Sequence, residues 1–233
     1  MVAPMIETAL ILDTETTGTS PDNDHVIEVG VVIFSLVHAT PVECQSWLVR
    51  ADGNPAEHVN GIPSAVLADV ANGHAYRRET SWSRLETFVR SCDVIVAHNA
   101  AFDASFIPSS LRLLRPWVCT MSDFTWPATS SGRSLLALAA AHRVPIGVAH
   151  RAPDDALLIA RLLEHVASIG GDLQTMFAQA MRPKVKVLAV VSYDDREKAK
   201  TAGFAWDSGA RRWWMMMPAA DVSTLPFPAE VAA

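Results

Sequence analysis

The sequence predicts an α/β domain built on a mixed sheet, followed by a small α+β module. Three observations carry this. Short apolar runs at residues 9–13, 94–97 and 117–120 have the length of buried strands. Stretches at 80–90, 134–143 and 153–167 place apolar residues at helical spacing between and after those runs. Past two breaks, Gly170-Gly171 and Arg182-Pro183, the pattern restarts as strand, short helix, strand.

The elements follow in order. Residues 9–13 are apolar and end in polar side chains, as a buried strand does on leaving the core. Residues 26–37 are long and β-branched, and residues 42–49 suit pairing with them. Residues 80–90 set Trp82, Leu85, Phe88 and Val89 on one helical face. Residues 103–114 read as a helix that Pro108 must interrupt or kink. Residues 117–120 supply a fifth strand. Pro153 suits a first helical position. In the tail, residues 186–193 and 211–217 read as strands. Between them Asp194 and Glu197 form a capping pattern for a short helix ending at Gly203. The expected domains are 1–172, a linker at 173–185, and a basic, Trp-rich module at 186–233.

Length and composition bound the function. A chain of 233 residues, 50% hydrophobic, forms an ordinary core without staples. Cys44, Cys92 and Cys119 are odd in number and widely spaced, which argues against disulfides and structural zinc and for three buried side chains in a reduced cytosol. No run has the length of a membrane span, and the first ten residues lack a basic start, so a soluble cytoplasmic protein is expected. The net charge of −6 argues against a large phosphate-tracking surface. That charge is uneven: residues 1–172 hold 11 Lys+Arg against 19 Asp+Glu, whereas residues 173–233 hold 8 against 6.

Three motifs carry chemistry. In Asp13-Thr14-Glu15-Thr16-Thr17-Gly18, side chains two apart on a strand share a face, so Asp13 and Glu15 set two carboxylates together at the carboxyl end of a buried strand. Adjacent carboxylates repel unless a proton or cation intervenes, and hard oxygen donors suit Mg²⁺ or Mn²⁺. Taken alone, a polar strand end turning at Gly18 explains this motif equally well. The second motif, His98-Asn99-Ala100-Ala101-Phe102-Asp103, follows the strand at 94–97; alone, Asp103 reads as a helix cap. In the third, His150-Arg151-Ala152-Pro153-Asp154-Asp155, Asp155 falls in a first helical turn and His150 precedes the helix, free to act as a general base. Alone, it reads as a capped helix with a surface histidine.

Together, in this order and spacing, the motifs resemble those of the DEDDh 3′→5′ exonucleases (DnaQ-like, ribonuclease H-like fold), nearest to the exonuclease X and ribonuclease T types. The likeness runs from about residue 9 to about residue 183. It implies a mixed five-stranded sheet flanked by helices, and two divalent cations, Mg²⁺ with Mn²⁺ able to substitute, held by Asp13, Glu15, Asp103 and Asp155. Such ions lie roughly 3.5–4 Å apart. Asp154 is a rival in register, and the family spacing from the histidine selects Asp155. The resemblance makes His150 the base and implies release of 5′-mononucleotides from a nucleic-acid 3′ end, DNA favoured. An exoribonuclease or a proofreading subunit docked on a polymerase, or another repair partner, are the alternatives. Thr16, Thr17, His98, Phe102 and Ile62 are the implied substrate contacts. Asn60 stands where relatives often carry histidine.

The tail resembles a small domain of unknown function fused to DNA-processing proteins, on Tyr193, Lys198-Ala199-Lys200, Gly203, Trp206-Asp207 and Arg211-Arg212-Trp213-Trp214. Its aromatics and cations suit base stacking and phosphate contact. Against that, Trp206 and one of Trp213 and Trp214 are expected to form the core of so small a module.

Overall fold

The strands expected at 9–13 and 26–37 fold into an antiparallel pair, β1 (Thr8–Thr16) and β2 (Val26–Ser35), which β3 (Thr40–Leu48) extends on the far side of β2. The structure is a computed structural model that describes residues 5–72, 80–128, 132 and 134–232. The chain divides into two units, Met1–Met181 and Arg182–Ala233.

In the first unit, α1 (Glu57–Asn60) and α2 (Ser64–Asn72) follow β3. Then come α3 (Thr80–Ser91), β4 (Val94–Ala97), α4 (Ala100–Phe106), α5 (Ser109–Arg112) and β5 (Trp117–Cys119). Pro108 splits the expected helix at 103–114 into α4 and α5, as its missing N–H requires. α6 (Leu135–Ala141), α7 (Ala152–Ser168) and α8 (Leu173–Ala180) complete the unit. The five strands lie in the order β3-β2-β1-β4-β5, with β4 and β5 parallel to β1.

Strand alternation divides the core. Ala9 and Ile11 of β1, with Val32 and Phe34 of β2, pack under α6, α7 and α8. Leu10 and Leu12, with Val29 and Val31, face Leu85 and Val89 of α3 and Leu111 of α5. Asp13 and Glu15 continue the α7 face of β1. Thr14 and Thr16 continue the opposite one.

Two expectations change here. The segment 173–185 was expected as a linker, but Leu173–Ala180 is helical and buries Leu173, Phe177 and Ala180 in the first unit. Asp172 starts that helix, its side chain accepting from the Thr175 amide at 3.1 Å. Of the cysteines, all free, Cys92 is buried, Cys119 half-buried and Cys44 exposed on β3. No helix among the described residues is long and apolar enough to cross a membrane.

The second unit is a four-stranded antiparallel sheet in the order β7-β8-β6-β9. It comprises β6 (Lys184–Ala189), α9 (Arg196–Thr201), β7 (Ala205–Asp207), β8 (Arg212–Pro218), a 3₁₀ helix (Ala219–Thr224) and β9 (Ala229–Val231). Its buried core is Val187, Ala199, Phe204, Met217 and Phe227. Trp206, expected inside, is 51% exposed, because two phenylalanines from loops flanking the sheet fill the centre instead. Trp213 packs against that core without being fully buried. The expected capping box does not form. Asp195, not Asp194, precedes α9, with its amide donating to Ser192 Oγ.

Candidate active site

The first carboxylates are placed by strand geometry. Asp13 pairs across the sheet with Gly30, and Glu15 with Glu28, all four on the face covered by α7. Gly30 is what lets α7 come close. A Cβ there would fall 2.2 Å from the Ala152 carbonyl carbon, so only glycine admits the helix start at that point. That close approach carries Asp155, in the first turn of α7, onto the strand end. One carboxylate oxygen each from Asp13, Glu15 and Asp155 lies within 4.8 Å of the others.

Glu28 fixes the approach. It is 2% exposed, and its carboxylate accepts from Arg151 Nε at 2.9 Å, Arg151 Nη2 at 2.6 Å and the Ala152 amide at 3.0 Å. The last bond satisfies one of the free N–H groups at the helix start. Sequence reasoning missed Glu28. The available signal was one acidic residue inside a strand that is otherwise apolar as far as its closing serine, which demands a buried partner.

Asp103 reaches the same strand from the other face. It is 2% exposed, and its Oδ1 accepts from the Thr14 amide at 3.1 Å and Thr14 Oγ1 at 2.8 Å. It does not cap α4, whose cap is Asn99 in the left-handed conformation. Asp103 stands outside the tight trio, but its charge acts on Asp13 more strongly than any other.

Crowding shows in the titration of these groups. Burial, then the charges of Asp103, Asp155 and Glu15, raise Asp13 well above the ordinary carboxylate range. Burial and the charges of Asp155 and Glu28 push Glu15 up to about 7, against the pull of Arg151. Burial likewise pushes Asp103 to about 7, opposed by its bonds to Thr14, and raises Asp155. A cluster of oxygen donors that resist ionisation together is what a divalent cation relieves, so the residues present fit a hard divalent ion.

His150 lies on an exposed loop at φ 59°, a conformation uncommon outside glycine, and its amide donates to Asp155 Oδ2 at 3.3 Å.

The other candidate residues divide. Thr16 and Thr17 are buried and shape the turn after β1. Thr16 Oγ1 donates to the Gly18 carbonyl at 2.6 Å, and the Thr17 amide donates to the His25 carbonyl at 2.9 Å. A Cβ at Gly18 would meet the Asp24 carboxylate at 2.5 Å, so any larger residue there would push that side chain off its bonds to Thr17 and Ser20. His98 Nδ1 meets Thr120 Oγ1 at 2.9 Å, which ties the β4–α4 turn to the chain after β5. Phe102 is half-buried against Phe106, ring centres 5.0 Å apart. Ile62 is 2% exposed and packs with Ile27, Ala51 and Leu67. A wedge against bases needs open surface, so the structure gives Ile62 a packing role instead. Asn60, also buried, braces that loop: its Oδ1 accepts from the Ile62 amide at 3.1 Å and its Nδ2 donates to the Thr16 carbonyl at 3.4 Å.

Comparison with known proteins agrees with this geometry. The Exonuclease family (RNase_T) profile matches residues 10–163, and the profile called Domain of unknown function (DUF8626) matches residues 185–232. The DNA polymerase III subunit epsilon of Buchnera aphidicola is 30% identical over 172 residues, covering 67% of this chain and 68% of that protein. The 3′-5′ exonuclease DinG of Staphylococcus epidermidis is 26% identical over 166 residues, 68% of this chain but only 18% of that protein, so this chain spans under a fifth of that relative. Among solved structures, exonuclease X in complex with 5′ overhanging duplex DNA superposes with a TM-score of 0.50 at 26% identity, over 74% of this chain and 97% of that one. The mixed sheet, its flanking helices and the match across most of the first unit place the chain in the DnaQ-like exonuclease family, with a ribonuclease H-like fold.

Proposed function

We propose that the protein is a divalent-cation-dependent 3′→5′ exonuclease that removes 5′-mononucleotides from DNA ends. The observation that carries this is the convergence of Asp13, Glu15 and Asp155 within 4.8 Å in a chain of the exonuclease family. Asp13, Glu15 and Asp155 would hold one cation, and Asp13 supported by Asp103 a second, Mg²⁺ with Mn²⁺ as substitute. Bound there, the ions supply Lewis acidity and charge neutralisation at a phosphodiester.

The chain's own residues do the rest. His150 takes the proton of the attacking water, its exposed loop leaving the ring free to reach one. The bond from its amide to Asp155 ties the base to the carboxylate trio. Thr16 and Thr17 present the backbone of a braced turn to the terminal nucleotide, and Phe102 and His98 lie along its far side. Arg151 and Glu28 hold the helix start that carries both Asp155 and His150.

DNA is favoured by the relatives, one named as a polymerase subunit and one solved on duplex DNA. The likeness to an epsilon subunit also supports a second reading, a proofreading subunit bound to a polymerase, for which co-purification is the test. The primary experiment compares DNA and RNA oligonucleotides of one sequence, labelled at the 5′ end, with and without a 3′ block. The expected result is a ladder shortening from the 3′ end of DNA, abolished by EDTA and by the block. Digestion unaffected by the 3′ block overturns the polarity, and faster digestion of RNA overturns the choice of sugar.

A further inference from the structure

The second unit has a concave site that the nuclease reading leaves unused. A cavity of about 750 Å³ opens beside the β7–β8 edge, lined among others by Tyr193, Arg196, Trp206, Arg211, Arg212 and Trp213. Its size lies within the range of roughly 300–1,000 Å³ common to small-ligand sites. The lining is unusual in composition, with three aromatic rings and three guanidinium groups around one hollow.

Two of the three aromatics, Tyr193 and Trp206, are presented rather than packed away, while Trp213 leans on the core. Tyr193 is 77% exposed and Trp206 is 51% exposed, although the unit has a formed core of its own at Val187, Phe204, Met217 and Phe227. Trp206 and Trp213 are cross-strand partners in β7 and β8, with ring centres 5.5 Å apart and planes tilted by 59°. Their splayed faces leave one side of Trp206 open. Arg196 stacks over Tyr193 at 3.9 Å and donates to the Tyr193 carbonyl at 2.7 Å, covering one face of that ring.

The charges follow a similar division. Arg212 is engaged by Glu230, and Arg196 is held on Tyr193. Arg211 is exposed at φ 51° in the turn entering β8 and makes no ion pair among the described residues. Net positive charge is confined to this end of the chain: residues 173–233 hold 8 Lys+Arg against 6 Asp+Glu, whereas residues 1–172 hold 11 against 19. Open aromatic faces beside an unpaired guanidinium are complementary to a nucleobase followed by a phosphate. Ala189, Val190 and Val191 add an apolar wall to the cavity, and the guanidinium groups beside its open rings are what favour a base followed by a phosphate over an apolar segment.

From this we infer that the C-terminal unit is a single-stranded nucleic-acid binding module, which stacks a base on Trp206 and Tyr193 and contacts the adjoining phosphate through Arg211. This function is separate from hydrolysis and stands whether or not the carboxylate site cuts DNA.

The test uses the whole 233-residue chain in EDTA with a 5′-fluorescein dT15 carrying a 3′ phosphorothioate block, read by fluorescence anisotropy across a salt series. Trp206→Ala should weaken binding by about 5- to 150-fold, the span of one lost base stack. Arg211→Gln should lower the slope of log K against log salt by about 0.7, the loss of one phosphate contact on a single strand. Tyr193→Leu, at a mostly exposed position, repeats the stacking test if the tryptophan variant fails to fold. Hydrolysis of thymidine 5′-monophosphate p-nitrophenyl ester, which carries a single base, should stay at the wild-type rate in all three. Wild-type affinity and salt slope in the folded variants overturn the inference. Equal affinity for dTMP and dT15 also overturns it, since the cavity would then serve free nucleotides and not a strand.

Discussion

Replacing Arg151 with Met tests how the site is held together. Arg151 gives two hydrogen bonds to a carboxylate that is 2% exposed, while the arginine side chain itself is 38% exposed. Removing one partner of a fully buried ion pair costs about 3–5 kcal/mol. Water at the exposed guanidinium reduces that, and the Ala152 amide still donates to Glu28. After that discount the loss comes to about 1.5–3 kcal/mol, the worth of one charge-assisted bond rather than two. For a unit of this size, that lowers the melting temperature by about 3–12 °C. Calorimetry on the purified variant reads it. Glu28→Gln in the Arg151→Met background removes the stranded charge, so the double variant should melt above the single one. The same substitution removes the positive charge that holds Glu15 down. Cation binding should therefore weaken at neutral pH and recover as pH rises. An Arg151→Met protein that melts with wild type, or a double variant no better than the single, refutes the role given to this pair.

Three further outcomes follow from the same geometry. Glu15 is raised from an ordinary 4.5 to about 7, so the folded chain holds protons there that the unfolded chain releases, and stability must fall as pH rises through that window. The shift corresponds to roughly 3 kcal/mol at pH 8; in EDTA the melting temperature should be lower at pH 8 than at pH 5, and Mn²⁺ should raise it more at pH 8. Gly30→Ala sets a methyl on the Ala152 carbonyl, costing about 1–3 kcal/mol and displacing Asp155 from Asp13, so it should cut turnover as well as stability; a variant with normal kcat argues against that contact. His150→Gln should lower kcat by about 10²–10⁴-fold with little change in cation affinity, because its bond to Asp155 comes from the backbone. A loss confined to KM argues against a base.

Much of the site is readable in the sequence because its logic is local. Asp13 and Glu15 share a face by strand period, and Asp155 sits where a helix start favours negative charge. Pro108 breaks its helix wherever the chain goes. What was not legible depends on partners far along the chain. Glu28 becomes a brace only once α7 brings Arg151 over β2, 123 residues later. Gly30 looks like a weak point in a strand until the Ala152 backbone lies on it. Ile62 has the chemistry of a wedge, but burial is set by α2 and β2, which spacing does not reveal. Trp206 is a natural core residue for a small module, and only the placement of Phe204 and Phe227 frees it for the surface. The helix at Leu173–Ala180 had a local signal, Asp172 capping Thr175, that the preceding Gly-Gly break obscured.

The most direct measurement is cation-dependent release of mononucleotides from a 3′-labelled DNA strand by wild type and by Asp155→Asn, with folding of both checked by circular dichroism. The carboxylate trio requires that wild type release labelled mononucleotide only when Mg²⁺ or Mn²⁺ is present, and that the folded Asp155→Asn protein release none. Release by wild type in EDTA, or undiminished release by the variant, would contradict a cation site at Asp13, Glu15 and Asp155.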